Sequence, residues 1–255
     1  MTPDQLRSVL GSAPDSTALL FDFDGTLAPI VAEPDDARAA AGALELLGRL
    51  ATRFRRVAIV SGRPRAFLAP LCPAGVAISA LYGLESRIDG ADEDHPDAAA
   101  WRSVIDDVLA SVALPDGVVV EPKGYSLTAH FRSVPDAAPA VEAWARGTAT
   151  ETGLVARAAK ASIELHPPVD VDKGTAVRSL AAGCRAVSYV GDDVGDLPAF
   201  AALDELAADG VQTVKVVSAG AEVPESMERA ADLVVDGPDE VVALFAPLAT
   251  AESIA

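Results

Sequence analysis

The first continuous apolar run, Ala18 to Phe21, is short and breaks into Asp22-Phe23-Asp24-Gly25-Thr26. A run of that length without polar alternation reads as a strand buried on both faces, as in parallel sheets. Two runs of the same kind follow: Arg56 to Val60, which ends in Ser61-Gly62-Arg63, and Ala77 to Ala80. Between the first two, Asp36 to Thr52 carries Leu44, Leu47 and Leu50 at helical spacing. Strand and helix alternate, which predicts a parallel sheet with helices on both faces.

Between about Ser86 and Pro168 the strands change from continuous to alternating. Asp97 to Ala110 places Trp101, Val104, Ile105, Val108 and Leu109 on one helical face. Val118 to Glu121 and Tyr125 to Arg132 read as a hairpin turned at Pro122-Lys123-Gly124. The second strand puts Tyr125, Leu127, Ala129 and Phe131 on one face and Ser126, Thr128, His130 and Arg132 on the other. A sheet covered on one side and open on the other is expected. A helix from Asp136 to about Arg146 and two further strands, the last Ala161 to His166, complete an α-β-β-α-β-β unit. Trp101 and Trp144 read as core residues of its helices, and His130 and His166 as ordinary sheet-face residues.

From Asp172 the earlier pattern resumes, with a helix after Lys173-Gly174 and a strand Ala186 to Val190 ending in Gly191-Asp192-Asp193. A helix from Asp196 and strands at Val214 to Val217 and Leu233 to Val235 follow. The expected fold class is α/β, a doubly wound, mainly parallel, Rossmann-like core. Residues 1–85 and 169–255 form that core, and residues 86–168 form an inserted α+β domain that sets specificity.

Composition narrows the partners. The chain has 255 residues and a formal charge of −18, which repels nucleic acid and anionic membrane surfaces. An anionic ligand therefore has to be held by a bound cation or by a few placed Lys and Arg residues. The two cysteines, Cys72 and Cys184, form neither a ligand spacing nor a disulfide framework. With no leader-like start and no run long enough to span a bilayer, a soluble, cytoplasmic monomer is the expectation.

Candidate chemistry gathers where the buried strands end. Asp22 and Asp24 follow the first strand, Ser61 the second and Asp192 the later one, and ligands of open α/β sheets bind outside such strand ends. Hydrolysis of a phosphate monoester needs a nucleophile, charge neutralisation and a proton for the leaving alcohol. Asp22 can attack phosphorus and Asp24 can protonate the leaving oxygen and then activate water. A cation held by Asp22 and Asp192 would screen the carboxylates, and oxygen ligands suit magnesium. Thr26, Ser61 and the Gly62 amide can donate to phosphate oxygens, and Lys173 can set a positive charge beside them.

In order, Asp22-Phe23-Asp24-Gly25-Thr26, Ser61-Gly62-Arg63, Asp172-Lys173-Gly174 and Gly191-Asp192-Asp193 with Asp196 resemble the four motifs of the haloacid dehalogenase superfamily of phosphatases. The insertion between the second and third motifs resembles that superfamily's type IIB cap. The resemblance implies Asp22 as nucleophile and Asp24 as acid and base. It implies Mg2+ on Asp22, Asp192 and the Asp24 carbonyl, with Asp193 or Asp196 acting on the metal through water.

Within the superfamily the chain resembles the trehalose-6-phosphate phosphatase family. Leu27-Ala28-Pro29-Ile30, Tyr82-Gly83-Leu84-Glu85, Glu121-Pro122-Lys123, His130-Phe131-Arg132, Glu164-Leu165-His166-Pro167 and Tyr189-Val190-Gly191 carry that likeness. It implies a small phosphorylated sugar as substrate, bound by Arg63, Glu121, Lys123, Arg132 and Glu164. The chain departs from the family pattern at Tyr82, at His166 and at Gly195-Asp196-Leu197-Pro198. The rival expectations are a phosphatase of the same fold for another sugar phosphate or a phosphoglycerate conjugate, a phosphomutase, and a non-catalytic sugar-phosphate-binding protein.

Overall fold

In the computed structural model, which describes residues 1–31, 34–159, 161–220 and 225–250 and only the backbone of Asp35, the continuous apolar runs are strands of one sheet. The chain order is β1 Thr17–Phe21, β2 Arg56–Val60, β3 Ala77–Ala80, β4 Glu85–Ile88, β5 Ala91–Asp94, β6 Val119–Pro122, β7 Leu127–His130, β8 Val155–Ala159, β9 Ser162–His166, β10 Ala186–Gly191, β11 Gln212–Ala219 and β12 Leu233–Asp236. The larger sheet has the order β12-β11-β10-β1-β2-β3-β4-β5 and is parallel from β12 to β3. The chain winds from β1 outward through β2 and β3, then returns to β10 on the other side of β1. The switch point between β1 and β10 is where such sheets open a crevice at the strand ends.

Side chains of β1 alternate between two cores, as the pleat requires. Leu19 and Phe21 pack under the helices α1 Pro3–Gly11, α2 Ala43–Ala51 and the helix Gly237–Thr250, with Phe21 set edge-on to Phe245 at 5.0 Å. Ala18 and Leu20 face the opposite layer, where Val177, Leu180, Phe200 and Leu203 come from the helices Lys173–Leu180 and Leu197–Ala208. Each fully buried Leu or Phe of these layers contributes about 1.5–3 kcal/mol. Among the described residues no helix is long and apolar enough to cross a membrane.

Two expectations need correction here. The helix expected over Asp36 to Thr52 starts at Ala43, and it buries Ala43, Leu46, Leu47 and Leu50 while Leu44 is only half-buried. The backbone ahead of it is spent elsewhere: the Ala40 N–H bonds the Leu27 carbonyl at 2.8 Å and closes the loop after β1. The second concerns the boundary near residue 86. The chain forms two compact units, residues 1–93 with 171–255 and residues 94–170. The stretch Glu85 to Glu93 belongs to the first, because β4 pairs antiparallel with β3 and turns at Asp89-Gly90 into the edge strand β5. Arg65 pins that hairpin, its Nη1 donating to the Ser86 and Glu93 carbonyls at 3.0 and 2.9 Å. Its polar alternation marks an exposed sheet edge.

The second unit has the order α-β-β-α-β-β within a four-stranded antiparallel sheet, β6-β7-β9-β8. The helices Arg102–Ser111 and Ala138–Thr152 cover one face, where Ile105, Val108, Val141 and Ala145 meet Leu127, Ala129, Ile163 and Leu165. Trp101 and Trp144 are half-buried against this cluster. The polar face is only partly open: Ser126, Thr128, Glu164 and His166 are buried, while Glu121 and His130 stay half-buried beside them. Arg132 also departs from the expected face: β7 ends at His130, and Arg132 is exposed in the turn beyond it.

Candidate active site

The turn after β1 places the two leading carboxylates differently. Asp22 continues the sheet, its N–H bonding the Val190 carbonyl at 2.8 Å, and its side chain is buried at the switch point beside β10. Asp24 turns to β2, where Arg63 grips it with two parallel bonds, Nε to Oδ2 at 2.8 Å and Nη2 to Oδ1 at 2.7 Å. Arg63 also donates to the Pro34 carbonyl at 2.7 Å and lies 4.5 Å over the Phe67 ring. The structure therefore uses Arg63 to fix Asp24. Gly25 has φ +76°, and a Cβ on it would fall 2.0 Å from Asp192 Oδ2, so only glycine lets the β1 turn sit against β10.

Lys173 opens a helix whose N-cap, Asp172, accepts from the Thr175 N–H at 2.7 Å. This cap holds the lysine against the sheet, with Nζ 3.0 Å from Asp22 Oδ2 and 2.6 Å from Asp196 Oδ1. Asp196 is fully buried and fully engaged. Its Oδ1 also accepts from the Tyr189 hydroxyl at 2.6 Å, and its Oδ2 accepts from the N–H groups of Asp192 and Asp193 at 2.9 and 3.3 Å. Four donors fill the acceptor sites of one carboxylate. Asp193 caps its own turn, its Oδ1 accepting from the Gly195 N–H at 2.8 Å.

Burial pushes the Asp22 carboxyl well above its ordinary range; Lys173 opposes that and the carboxylates of Asp196, Asp192 and Asp193 add to it. Burial also drives Asp192 up, to about 8, with Asp196 and Asp193 reinforcing. For Lys173 burial works against the charge, yet Asp196 and Asp22 outweigh it and hold the ammonium well above its ordinary value. The site thus has more negative charge than its single lysine balances.

One oxygen each from Asp22, Asp192 and Asp196 lies within 4.8 Å of the others. An all-oxygen donor set crowded with unbalanced negative charge fits a hard divalent cation. Since Asp196 spends its oxygens on four donors, Asp22 and Asp192 are the carboxylates with room for it. The side chains of Asp24 and Asp193, both among the expected metal residues, lie outside this group.

The phosphate-binding candidates come to the same strand ends. Thr26 is fully buried, and its hydroxyl has no hydrogen-bond partner among the described residues. Ser61 Oγ accepts from the Arg63 N–H at 3.1 Å and keeps its proton to donate. Gly62 is close-packed, since a Cβ there would lie 2.6 Å from the Tyr82 hydroxyl.

In the second unit, Glu121 Oε2 is 2.9 Å from His130 Nε2 and 3.9 Å from Lys123 Nζ, and Ser126 donates to Glu164 Oε1 at 2.6 Å. His166 is fully buried, with Nδ1 2.6 Å from the Pro167 carbonyl oxygen. Sequence reasoning assigned no role to Tyr189 or to His130, because neither stands in a spacing that points to its partner.

Residues 20–235 match the family described as trehalose-phosphatase. The chain belongs to the trehalose-phosphatase family. A trehalose-phosphate phosphatase of Mycolicibacterium paratuberculosis is 34% identical over 220 residues, 79% of this chain and 56% of the relative. One of Mycobacterium leprae is 34% identical over 236 residues, 83% of this chain and 54% of the relative. The chain thus spans about half the length of the curated relatives it matches. Among solved structures, a trehalose-6-phosphate phosphatase related protein superposes with a TM-score of 0.74 at 25% identity, covering 91% of this chain and 96% of that one. The C-terminal domain of the C. albicans trehalose-6-phosphate phosphatase gives 0.77 at 24% identity, covering 98% and 97%. A haloacid dehalogenase-like hydrolase from Bacteroides thetaiotaomicron shares the fold at 0.57 and 17% identity, covering 89% and 98%. The chain thus shares its α/β fold with a haloacid dehalogenase-like hydrolase.

Proposed function

We propose that this chain hydrolyses trehalose 6-phosphate to trehalose and phosphate through an aspartyl phosphate on Asp22. The observation that carries the reading is the buried Asp22 carboxylate at the sheet's switch point, 3.0 Å from Lys173 and within the three-carboxylate group. One oxygen of Asp22 attacks phosphorus and the ester oxygen leaves as the alcohol, taking a proton from Asp24. Water then breaks the acyl phosphate, giving its proton to Asp24, which restores Asp22 as the carboxylate and Asp24 as the acid. Arg63 holds Asp24 in one orientation for both steps.

Thr26, Ser61 and the Gly62 N–H bind the phosphoryl oxygens, and the unmet Thr26 hydroxyl supports this. Lys173 balances the charge on Asp22 and the incoming phosphate, and Asp196 with Tyr189 keeps it aimed. Mg2+, held by Asp22, Asp192 and the Asp24 carbonyl, would supply charge neutralisation at the phosphoryl group. Asp193 would act on that metal through water, while Asp196 holds Lys173 and the amides of Asp192 and Asp193.

The unit of residues 94–170 recognises the sugar, using Glu121, Lys123, Arg132 and Glu164. Cys72 and Cys184 are free thiols, in keeping with a cytoplasmic site of action. Phosphate release with Mg2+ from trehalose 6-phosphate, glucose 6-phosphate and a phosphoglycerate conjugate tests the substrate. A clear preference for the first supports the reading, whereas preference for another keeps the aspartyl-phosphate chemistry and removes the disaccharide.

A further inference from the structure

The register of the smaller sheet brings one hydroxyl to the middle of its polar face. Thr128 on β7 lies directly opposite Glu121 on β6 and directly opposite Glu164 on β9. Residues directly opposed in antiparallel strands point to the same face with Cβ atoms about 4.5–5.5 Å apart. Glu121, Thr128 and Glu164 therefore form one row across three strands. Thr128 is 4% exposed, and its hydroxyl has no hydrogen-bond partner among the described residues. Buried hydroxyls in native proteins are nearly always paired, so an unpaired one in a polar row marks a missing partner.

The neighbours define that partner's chemistry. Ser126, fully buried, donates to Glu164 Oε1 at 2.6 Å, which fixes the carboxylate and leaves its second oxygen to accept. Glu121 is oriented by His130 at 2.9 Å. Arg157 on β8 lies directly opposite Glu164 and Lys123 lies 3.9 Å from Glu121, so the row is not bare negative charge. What decides is that an ionised phosphoryl oxygen has no proton to give Glu164, and an apolar group would leave the threonine unmet. A neutral polyhydroxyl ring meets both demands: one hydroxyl donates to Glu164 and its neighbour pairs with Thr128.

We propose that Thr128 contacts the sugar and sets specificity, its hydroxyl and the Ser126-oriented Glu164 together reading adjacent hydroxyls of the substrate's uncharged ring. This rests on the sugar-phosphatase reading above. Thr128→Val removes the hydroxyl at constant shape, and Thr128→Ser keeps it. For the sugar phosphate that the unaltered protein turns over best, Thr128→Val should raise KM about three- to tenfold, the effect of one lost neutral hydrogen bond. The ratio of kcat/KM on that substrate to kcat/KM on p-nitrophenyl phosphate should fall by a similar factor, and Thr128→Ser should restore it. A thermal melt of Thr128→Val as high as that of the unaltered protein shows that folding is not the cause.

If KM and that ratio stay within twofold in a folded Thr128→Val protein, the hydroxyl does not touch substrate and the inference is overturned. If Thr128→Val unfolds, the Thr128→Ser and Ser126→Ala proteins decide: unchanged KM in Ser126→Ala overturns the cradle. Failure of the substrate reading looks different, since the unaltered protein would then show no preference for trehalose 6-phosphate.

Discussion

Gly25→Ala should disable the proposed metal site through geometry alone. Two costs follow from the structure. An alanine at φ +76° pays about 1–2 kcal/mol for the left-handed backbone. Its Cβ would lie 2.0 Å from Asp192 Oδ2 and 2.2 Å from Cγ, far inside contact distance, so the Asp192 side chain has to rotate away. Asp192 then leaves the group it forms with Asp22 and Asp196. Loss of even an outer support of a metal ligand typically weakens affinity 10–100-fold, and loss of a ligand carboxylate should reach at least the upper end, about 100-fold. The assay is phosphate release titrated with Mg2+, run on Gly25→Ala, Asp192→Ala and the double variant. Because each removes the same ligand, the three should share one Mg2+ requirement, with no further loss in the double variant. A Gly25→Ala protein with the normal requirement, or losses that add in the double variant, would refute the reasoning.

Asp22→Asn should abolish turnover with the fold kept, and measurable single-turnover phosphate release would remove Asp22 as nucleophile. Tyr189→Phe takes one of the two donors from Asp196 Oδ1, so it should cost about 1.5–3 kcal/mol in urea unfolding and lower kcat; an unchanged unfolding midpoint would contradict that role. Glu164→Ala should lose activity on trehalose 6-phosphate far more than on p-nitrophenyl phosphate, and equal losses would exclude Glu164 from the sugar site. Asp192 titrates near 8 in the fold against 3.8 unfolded, so its neutral form supports stability fully below about 3.8. That support is lost as pH rises toward about 8, on the order of a few kcal/mol. Chelated protein should therefore melt lower at pH 8 than at pH 5, with Mg2+ restoring more at pH 8; a chelated melt that rises over this window would count against it.

Much of the core was legible in the chain because its signals are local. A strand buried on both faces must be apolar at every position, so β1, β2, β3 and β10 announced themselves, and the acidic and hydroxyl residues at their ends followed. Ser86 to Glu93 misled for a related reason. An exposed edge strand carries the polar residues of a loop or a new domain, and only its pairing with β3 through β4 tells them apart.

The sequence by itself determined the order of elements, the strand ends that carry Asp22, Ser61 and Asp192, and a negative charge against which an anion has to be held by a cation or by placed Lys and Arg residues. Tertiary structure alone decided how the carboxylates divide their work. Asp24 is bound by Arg63 from the loop beyond β2, Asp196 is saturated by Lys173, Tyr189 and two backbone amides, and Thr128 finds no partner among the described residues between Glu121 and Glu164. A side chain's hydrogen-bonding capacity is spent on neighbours that are distant in sequence, and composition and spacing carry no record of which neighbours those are.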